Sequence, residues 1–223
     1  MPFSKLESRL DAEYYRPDYL ETARILESIP TTVISELCEM STLRFDSSKK
    51  PTEIIRYIEI ENVDTETGVT RPQLLCALEA PSRARKLVRT GDVIISTVRP
   101  ERNAVALIDE TLDGCVCSTG FCVLVPKAVS PLFLFCFLKS RLAIEQLVRK
   151  TMSSMYPAVS DTDILSLRIP TNVVGGLVEE ISALIEDAKA LQQQSVTKFQ
   201  EAQRKLNEAL NDALSAGKKI VHE

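Results

Sequence analysis

Residues 172–214 constrain the fold of this 223-residue chain more than any other segment. The segment contains no proline, and its only glycines, Gly175 and Gly176, stand close to its start. Its apolar residues recur at alternating spacings of four and three, which is the heptad pattern of a coiled-coil helix. We therefore predict one helix about 60 Å long, at about 1.5 Å per residue.

The apolar seam of this helix slips in phase once, around Ser195, and such a step unwinds a supercoil locally. The seam positions predicted to mediate dimerisation are Leu177, Ile181, Leu184, Ala188, Leu191, Phe199, Ala202 and Leu206. The chain offers no second helix of similar length to cover them, so we predict that another copy of the chain does. The alternative is a helix that folds back on its own globular domain.

The remaining sequence predicts an α+β protein. A globular mixed α/β domain is expected over residues 1–171, followed by the coiled-coil-like helix over 172–214 and a tail over 215–223. Apolar periodicity and capping residues predict helices at 17–29 and 131–149. Phe133, Phe137 and Ile144 are expected to face a sheet.

Strands are predicted from alternating or β-branched runs between turn residues. The expected strands are 57–61, 93–98, 104–109, 121–125 and 165–169. Ser160 and Asp163 have the spacing of a capping box, which predicts a short turn of helix just before the last strand.

The sequence shows no catalytic machinery. His222 is the only histidine, which disfavours histidine-dependent triads and metal-hydrolase sites. Gly217 and Lys218 lack the first glycine of a phosphate-binding loop. The six cysteines lie mostly in apolar runs without paired C-x-x-C spacing, so we expect buried, reduced thiols and no metal site. We predict that the chain is not an enzyme and binds no cofactor.

The sequence also predicts a cytoplasmic protein that does not associate with membranes. Its longest apolar run, residues 132–138, is far shorter than the roughly 20 residues that a bilayer span needs. The charged start MPFSKLESRL does not have the pattern of a secretory signal.

Charge is distributed unevenly along the chain. The net charge is −4, yet residues 81–171 carry 12 basic and 8 acidic side chains. Lysine and arginine release counterions when they meet phosphates, and the arginine fork fits guanine edges. The predicted DNA contacts in this segment are Arg83, Arg85, Lys86, Arg89, Arg99, Arg102 and Asn103. The alternative is an ordinary solvated charged face.

A second candidate contact is the polar segment 150–160. Its hydroxyls and its tyrosine could bond phosphates or bases. The residues singled out are Lys150, Ser153, Ser154 and Tyr156. The alternative is a connecting loop without a binding role.

Five motifs in order carry a family resemblance. They are RYIEIENVD (56–64), LVRTGDVIISTVRP (87–100), STGFCVLVP (118–126), FLKSRLAIEQL (137–147) and TMSSMYPAVSDTDILSLRIP (151–170). Together they resemble one target-recognition domain of a type I restriction-modification specificity subunit. The helix that follows resembles the spacer helix of that family. Such subunits usually carry two domains and two helices, so this chain resembles half of one. Residues 171–176 also depart from the proline-rich stretch usual there.

The resemblance implies a sequence-specific reader of double-stranded DNA. Two copies paired through their helices would read two half-sites of an interrupted palindrome. Methyltransferase subunits carrying S-adenosylmethionine would dock on the helices, and a restriction or translocase subunit could join them. An alternative from another class is a protein-interaction adaptor with a coiled-coil scaffold. A third is a recognition fragment of a fused restriction-methylation enzyme.

Overall fold

The computed structural model describes residues 11–151, 156–171 and 175–220. The chain divides into two compact units, Met1–Val173 and Val174–Glu223. The first unit combines short strands and helices, and the second is formed by one long helix. The α+β class predicted from the sequence is confirmed.

The first unit contains five helices and ten strands among the described residues. The helices are α1 (Pro17–Ser28), α2 (Ile34–Leu37), α3 (Pro131–Lys139), α4 (Arg141–Lys150) and α5 (Asp161–Leu165). The strands are β1 (Thr31–Val33), β2 (Cys38–Met40), β3 (Ile54–Ile58), β4 (Gln73–Cys76), β5 (Ala84–Leu87), β6 (Val93–Ser96), β7 (Val105–Leu107), β8 (Val116–Ser118), β9 (Phe121–Pro126) and β10 (Arg168–Pro170).

The strands form three sheets. One four-stranded sheet has the order β2-β9-β6-β7 and is antiparallel throughout. A second has the order β4-β3-β8-β5, in which β3 and β8 run parallel and the other pairs are antiparallel. The strands β1 and β10 pair antiparallel on their own, which ties the two ends of the unit together.

The core lies between the two larger sheets. Ile58 and Cys117 of the second sheet share a buried cluster with Ile94, Ala106 and Val123 of the first. Neighbouring residues of β3 point the other way, because side chains alternate along a strand. There Tyr57 and Ile55 join a smaller cluster with Val116, Ala77 and Ala84.

The predicted helix 131–149 is wrong as a single element, because the chain breaks it at Ser140. This residue has extended backbone angles, and its hydroxyl accepts a hydrogen bond from the amide of Ala143, which starts α4. Of the predicted sheet-facing side chains, only Phe137 is buried, whereas Phe133 and Ile144 are half-buried. Almost every residue of α3 is apolar, so its periodicity does not identify the buried face.

Two predicted strand positions need correction. The strand predicted at 57–61 is β3, which ends at Ile58. Glu59 and Asn62 then cap a 3-10 turn, so the alternation of Glu59 and Glu61 reflects a turn. The predicted capping box at Ser160 and Asp163 is present and starts α5. Because α5 extends to Leu165, the last strand begins only at Arg168.

The second unit consists of α6, Gly175–Ile220. At about 1.5 Å per residue, its 46 residues extend about 69 Å. The predicted long helix therefore exists and continues into the residues predicted as a tail. No helix in the described part of the chain is both long and apolar enough to span a bilayer.

Candidate nucleic-acid interface

The loop between β6 and β7 has an unusual backbone. Arg99 and Asn103 both adopt left-handed angles, with φ of 50° and 54°, and they flank a 3-10 turn at Pro100–Arg102. A left-handed arginine costs on the order of 1 kcal/mol or more, and such residues cluster at binding and catalytic sites. The side-chain amide of Asn103 donates to the carbonyl oxygen of Lys139 at 3.0 Å, so Asn103 anchors the loop to α3.

This loop is joined to the second predicted DNA-contact segment. Val98 and Ala158 form an antiparallel β-bridge, and the amide of Arg99 donates to the carbonyl oxygen of Pro157 at 2.8 Å. As a result, the guanidinium carbon of Arg99 lies 5.5 Å from the centroid of the Tyr156 ring. This is a cation–π distance. The two segments that the sequence predicted separately as DNA contacts, one containing Arg99 and the other Tyr156, therefore form one surface.

The exposed members of this surface are suited to external contacts. Tyr156 is 68% exposed, and Arg102 is exposed at the turn beside Arg99. Lys150 is bound within the unit, because its amine lies 2.6 Å from the hydroxyl of Ser166. The predicted contacts Ser153 and Ser154 lie outside the described residues. We call Arg99, Arg102 and Tyr156 the arginine–tyrosine surface.

Lys86 is held inside the first unit. Its side chain is 13% exposed, and its amine donates to the carbonyl oxygen of Phe121 at 2.5 Å. The same amine lies 3.6 Å from a carboxylate oxygen of Asp161. Lys86 therefore links β5 to β9 and α5 and is poorly placed as a phosphate contact. The sequence analysis predicted that all basic residues from Arg83 to Arg102 face outward. However, alternate side chains of β5 point inward.

Three other basic residues on or beside β5 are exposed: Arg83, Arg85 and Arg89. Arg83 pairs with Glu59, and Arg89 lies 3.4 Å from a carboxylate oxygen of Asp113. Arg85 donates to the carbonyl oxygen of Ser82 at 2.9 Å. Exposed ion pairs of this kind contribute about 0–1 kcal/mol, so an incoming phosphate could displace them at little cost.

A cavity of about 450 Å³ lies beside Arg89. Its apolar lining includes Phe45, Leu87 and Val116. The basic residues lining it, which we call the basic rim, are Arg44, Lys49, Lys50, Arg56 and Arg89. Asp46 and Glu53 also line the cavity, and Glu53 accepts an ion pair from Lys50 at 3.1 Å.

The basic rim forms because the segment 43–45 runs beside the edge strand β5. The amide of Phe45 donates a hydrogen bond to the carbonyl oxygen of Arg85 at 2.8 Å. The amide of Leu87 donates one to the carbonyl oxygen of Leu43 at 3.3 Å. The sequence prediction missed Arg44, Lys49, Lys50 and Arg56 because they lie in the acidic first eighty residues. The adjacent Lys49 and Lys50 were the local sequence signal that could have indicated this basic rim.

Carboxyl groups near these surfaces titrate differently according to their surroundings. A hydrogen bond from the amide of Thr90 lowers the pKa of Asp113, so that this partner of Arg89 stays ionised. Asp92 is buried, and desolvation raises its pKa although it accepts a hydrogen bond from the amide of Arg89 at 2.8 Å. Asp113, in the loop before β8, is therefore more acidic than usual, and Asp92, in the turn before β6, is less acidic than usual.

The structure also describes the cysteines. None of the six forms a disulfide bond, and Cys38, Cys115, Cys117 and Cys122 are buried. Burial raises the pKa of Cys38 to about 11 and that of Cys117 to about 12, so both remain thiols at neutral pH. Among the described residues, no group of three or more histidine, cysteine, aspartate or glutamate side chains could hold a metal ion.

Comparison with known proteins gives sequence and structural relatives. No protein-family profile matches the chain. It is 30% identical over 115 residues to the type I restriction enzyme HindI specificity subunit of Haemophilus influenzae, covering 49% of this chain and 25% of that protein.

Two solved structures share both sequence and fold with the chain. One belongs to a study of complex assembly and conformational transition in a type I restriction-modification system, with 34% identity, a TM-score of 0.64, and coverage of 74% of this chain and 44% of that one. The other is the HsdS subunit from Thermoanaerobacter tengcongensis, with 35% identity, a TM-score of 0.61, and coverage of 74% and 42%. The chain spans less than half the length of each of the three relatives.

Proposed function

Since this chain is related in sequence and fold to the specificity subunits of type I restriction-modification systems, we propose that it recognises a DNA sequence and does not catalyse a reaction. The observation that carries the proposal is the convergence of the half-buried Arg99 and the exposed Tyr156, from two separate segments, on one surface. An arginine held by a fixed backbone and an aromatic ring is well suited to bidentate contact with guanine.

The basic rim supplies a complementary role in the proposal. Phosphate contacts position a protein on the duplex, and base contacts give the sequence preference. Lys49 and Lys50 are exposed lysines without a fixed fork, so we assign them to phosphates. Arg83, Arg85 and Arg89 are exposed arginines on or beside β5 and could serve either role.

We further propose that the functional form is a homodimer paired through α6. Leu184, Leu191, Phe199 and Leu206 are 59–66% exposed along this helix. An exposed apolar row of this length favours burial against another helix. Two readers in one dimer would bind two half-sites related by twofold symmetry.

The remaining partners follow from the family relationship alone. We propose that methyltransferase subunits bring S-adenosylmethionine to the complex, and that a restriction or translocase subunit can join it. The chain itself is proposed to need no cofactor, and the proposed compartment is the cytoplasm.

One observation favours the second candidate, a protein-interaction adaptor. Ile54, Leu74 and Leu78, at or beside the edge strand β4, are 64–76% exposed, which is typical of residues that contact another protein.

Binding of purified chain to duplex DNA at several salt concentrations separates the two candidates. A DNA-recognition protein loses affinity for DNA steeply as the salt concentration rises, because binding releases counterions from the phosphates. Absence of measurable DNA binding at low salt, by the chain alone and with its methyltransferase, would contradict the proposed function and favour the adaptor.

A further inference from the structure

Asn103 ends the turn that begins at Arg99, and its side-chain nitrogen points toward the protein. This nitrogen lies 3.0 Å from the carbonyl oxygen of Lys139, which can only accept a hydrogen bond. The chemistry of the acceptor therefore fixes which end of the amide faces Lys139. Asn103 is half-buried, whereas an asparagine that recognises adenine presents both ends of its amide to the base.

The acceptor is available because α3 ends at Lys139. The last four carbonyl groups of a helix have no partner within the helix. At this end, the carbonyl oxygen of Phe137 accepts hydrogen bonds from the amide and the hydroxyl of Ser140, at 2.9 and 2.6 Å. The carbonyl oxygen of Lys139 accepts one from Asn103 instead. Asn103 therefore helps to cap the C-terminal end of α3 from a separate segment of the chain.

Hydrogen bonds within the turn connect this anchor to Arg99. The amide of Arg102 donates to the carbonyl oxygen of Arg99 at 2.9 Å, and the amide of Asn103 donates to the carbonyl oxygen of Pro100 at 3.1 Å. Because these two bonds close the turn, a displacement of Asn103 also displaces Arg99. Asparagine adopts the left-handed angles at position 103 more readily than most residues do.

The end of α3 is itself held in place. The amine of Lys139 donates to the carbonyl oxygen of Thr65 at 2.9 Å, in the turn between β3 and β4, and lies 5.9 Å from the centroid of the Phe135 ring. Gly68 packs closely on the other side chain of this contact, since an added Cβ would lie 2.6 Å from a ring carbon of Phe135. The carbonyl group that anchors the turn therefore belongs to a tightly packed part of the first unit.

We propose that Asn103 is a positioning residue of the DNA-recognition surface: it fixes Arg99 by bonding to the end of α3 and does not contact a base. This inference rests on the proposed function and replaces the sequence-based prediction of Asn103 as a DNA contact. The turn is held at its end by Lys139 and at its start by the bridge between Val98 and Ala158. The arginine fork matches guanine only in a fixed geometry, so the anchor acts on sequence preference.

Amide hydrogen exchange of the full chain without DNA tests whether Asn103 holds the turn. Asn103→Gly keeps the left-handed backbone accessible and removes the side-chain hydrogen bond. Exchange in peptides spanning residues 97–104 should become about 2- to 12-fold faster, as for the loss of one hydrogen bond. Glu101→Gln is the matched control, because Glu101 is exposed in the same turn, and it should leave exchange unchanged. Unchanged exchange in the glycine variant overturns the inference, whether or not the chain binds DNA.

Binding to matched and single-substituted duplexes tests the effect on recognition. The duplexes are those that the original protein selects from a random pool. Asn103→Gly should weaken binding to the preferred duplex about 2- to 12-fold. It should also relax the preference at the same base pair that Arg99→Ala affects. The dependence of affinity on salt should stay unchanged, because no phosphate contact is lost. Glu101→Gln should keep the base preference of the original protein.

Combination of Arg99→Ala with Asn103→Gly separates positioning from direct contact. If Asn103 acts through Arg99, the double variant should bind as weakly as Arg99→Ala alone, because the effects of coupled residues do not add. Additive losses, or a relaxed preference at a different base pair, show that Asn103 contacts DNA itself and overturn the inference.

Two further results also overturn the inference. Faster exchange with an unaltered base preference shows that the anchor only stabilises the fold, and it leaves the proposed function intact. Failure of the original protein to bind any duplex contradicts the proposed function and this inference together. If Asn103→Gly does not fold, Asn103→Asp replaces it, because aspartate tolerates left-handed angles and its carboxylate cannot donate to Lys139. The affected base pair, not the overall affinity, is then compared with that of Arg99→Ala.

Discussion

The guanidinium carbon of Arg99 lies 5.5 Å from the centroid of the Tyr156 ring, although the two residues belong to segments far apart in the chain. The β-bridge between Val98 and Ala158 brings them together. Because Arg99 is in a left-handed conformation at the start of a turn, its side chain leaves the sheet at a fixed point. This relationship gives the proposed reader a preorganised arginine.

Replacement of Arg99 tests its proposed role in base recognition. Arg99→Ala should weaken binding to the preferred sequence by about 5- to 150-fold, which corresponds to the 1–3 kcal/mol of a bidentate base contact. It should also relax the preference at one base pair, whereas Arg99→Lys should keep the charge and lose the preference. Fluorescence anisotropy with matched and single-substituted duplexes measures both effects. An equal loss on all duplexes would instead assign Arg99 to a phosphate.

The basic rim is tested by replacing Lys49 and Lys50 together with alanine. Each phosphate contact contributes about 0.9 to the slope of log affinity against log salt, so the double variant should lower that slope by about two. Affinity should fall on every sequence alike. Lys127→Ala is the matched control, because Lys127 is an exposed lysine elsewhere, paired with Glu39 at 3.3 Å. A slope that changes as little as in the control would exclude the rim from the interface.

Lys86→Ala distinguishes an internal role from a DNA contact. Its amine is bonded to Phe121 and lies near Asp161, so removal should cost stability, on the order of 1–3 kcal/mol for an internal hydrogen bond to a charged group. Urea denaturation should show the loss. The DNA affinity of the folded variant should remain close to that of the original protein. A large affinity loss at unchanged stability would restore Lys86 to the DNA-binding face.

Leu191→Asp should disrupt the proposed homodimer. Leu191 is 65% exposed in the chain as described, so a carboxylate there is well solvated in the monomer but buried at the seam of a pair. Light scattering after size-exclusion chromatography should show a monomer at micromolar concentration. Gln193→Asp adds the same charge off the seam and should remain dimeric. If both variants behave as the original protein does, α6 does not mediate pairing through this face.

Asp92→Asn should change the pH dependence of stability. Burial raises the pKa of Asp92, so the folded state binds the proton more tightly than the unfolded state does. The ionised form is therefore unfavourable in the folded protein, and its cost appears as pH rises through the raised pKa. The variant should match or exceed the original melting temperature at neutral pH, and the difference should shrink as pH falls. The account is contradicted if the variant melts below the original protein at neutral pH and this deficit becomes smaller in acid.

Long-range periodicity made part of the fold predictable. The helix α6, the strand β6 and the capping box of α5 follow from repeats or from local residue chemistry. The strands β1, β2, β4, β5 and β8 have only three or four residues each and lack the longer β-branched run, residues 93–98, that identified β6. The break at Ser140 contains neither proline nor glycine, so no helix-breaking residue separates the sequences of α3 and α4.

The candidate interface was predictable residue by residue but not as a surface. Arg99 and Tyr156 were identified by their chemistry, whereas their contact depends on a tertiary β-bridge. The largely buried position of Lys86 was not anticipated, because a strand sends alternate side chains to opposite faces. The basic rim was missed because Arg44 and Lys49 reach β5 only after the chain has folded.

Selection from a pool of random duplex DNA tests the central claim most directly. The purified full chain is incubated with the pool, with and without the proposed methyltransferase subunit, and the bound duplexes are sequenced. A homodimeric reader predicts an interrupted palindrome: two identical half-sites in opposite orientation, separated by a gap of fixed length. A pool that remains random after several rounds, in both arms, would contradict the claim that this chain reads DNA.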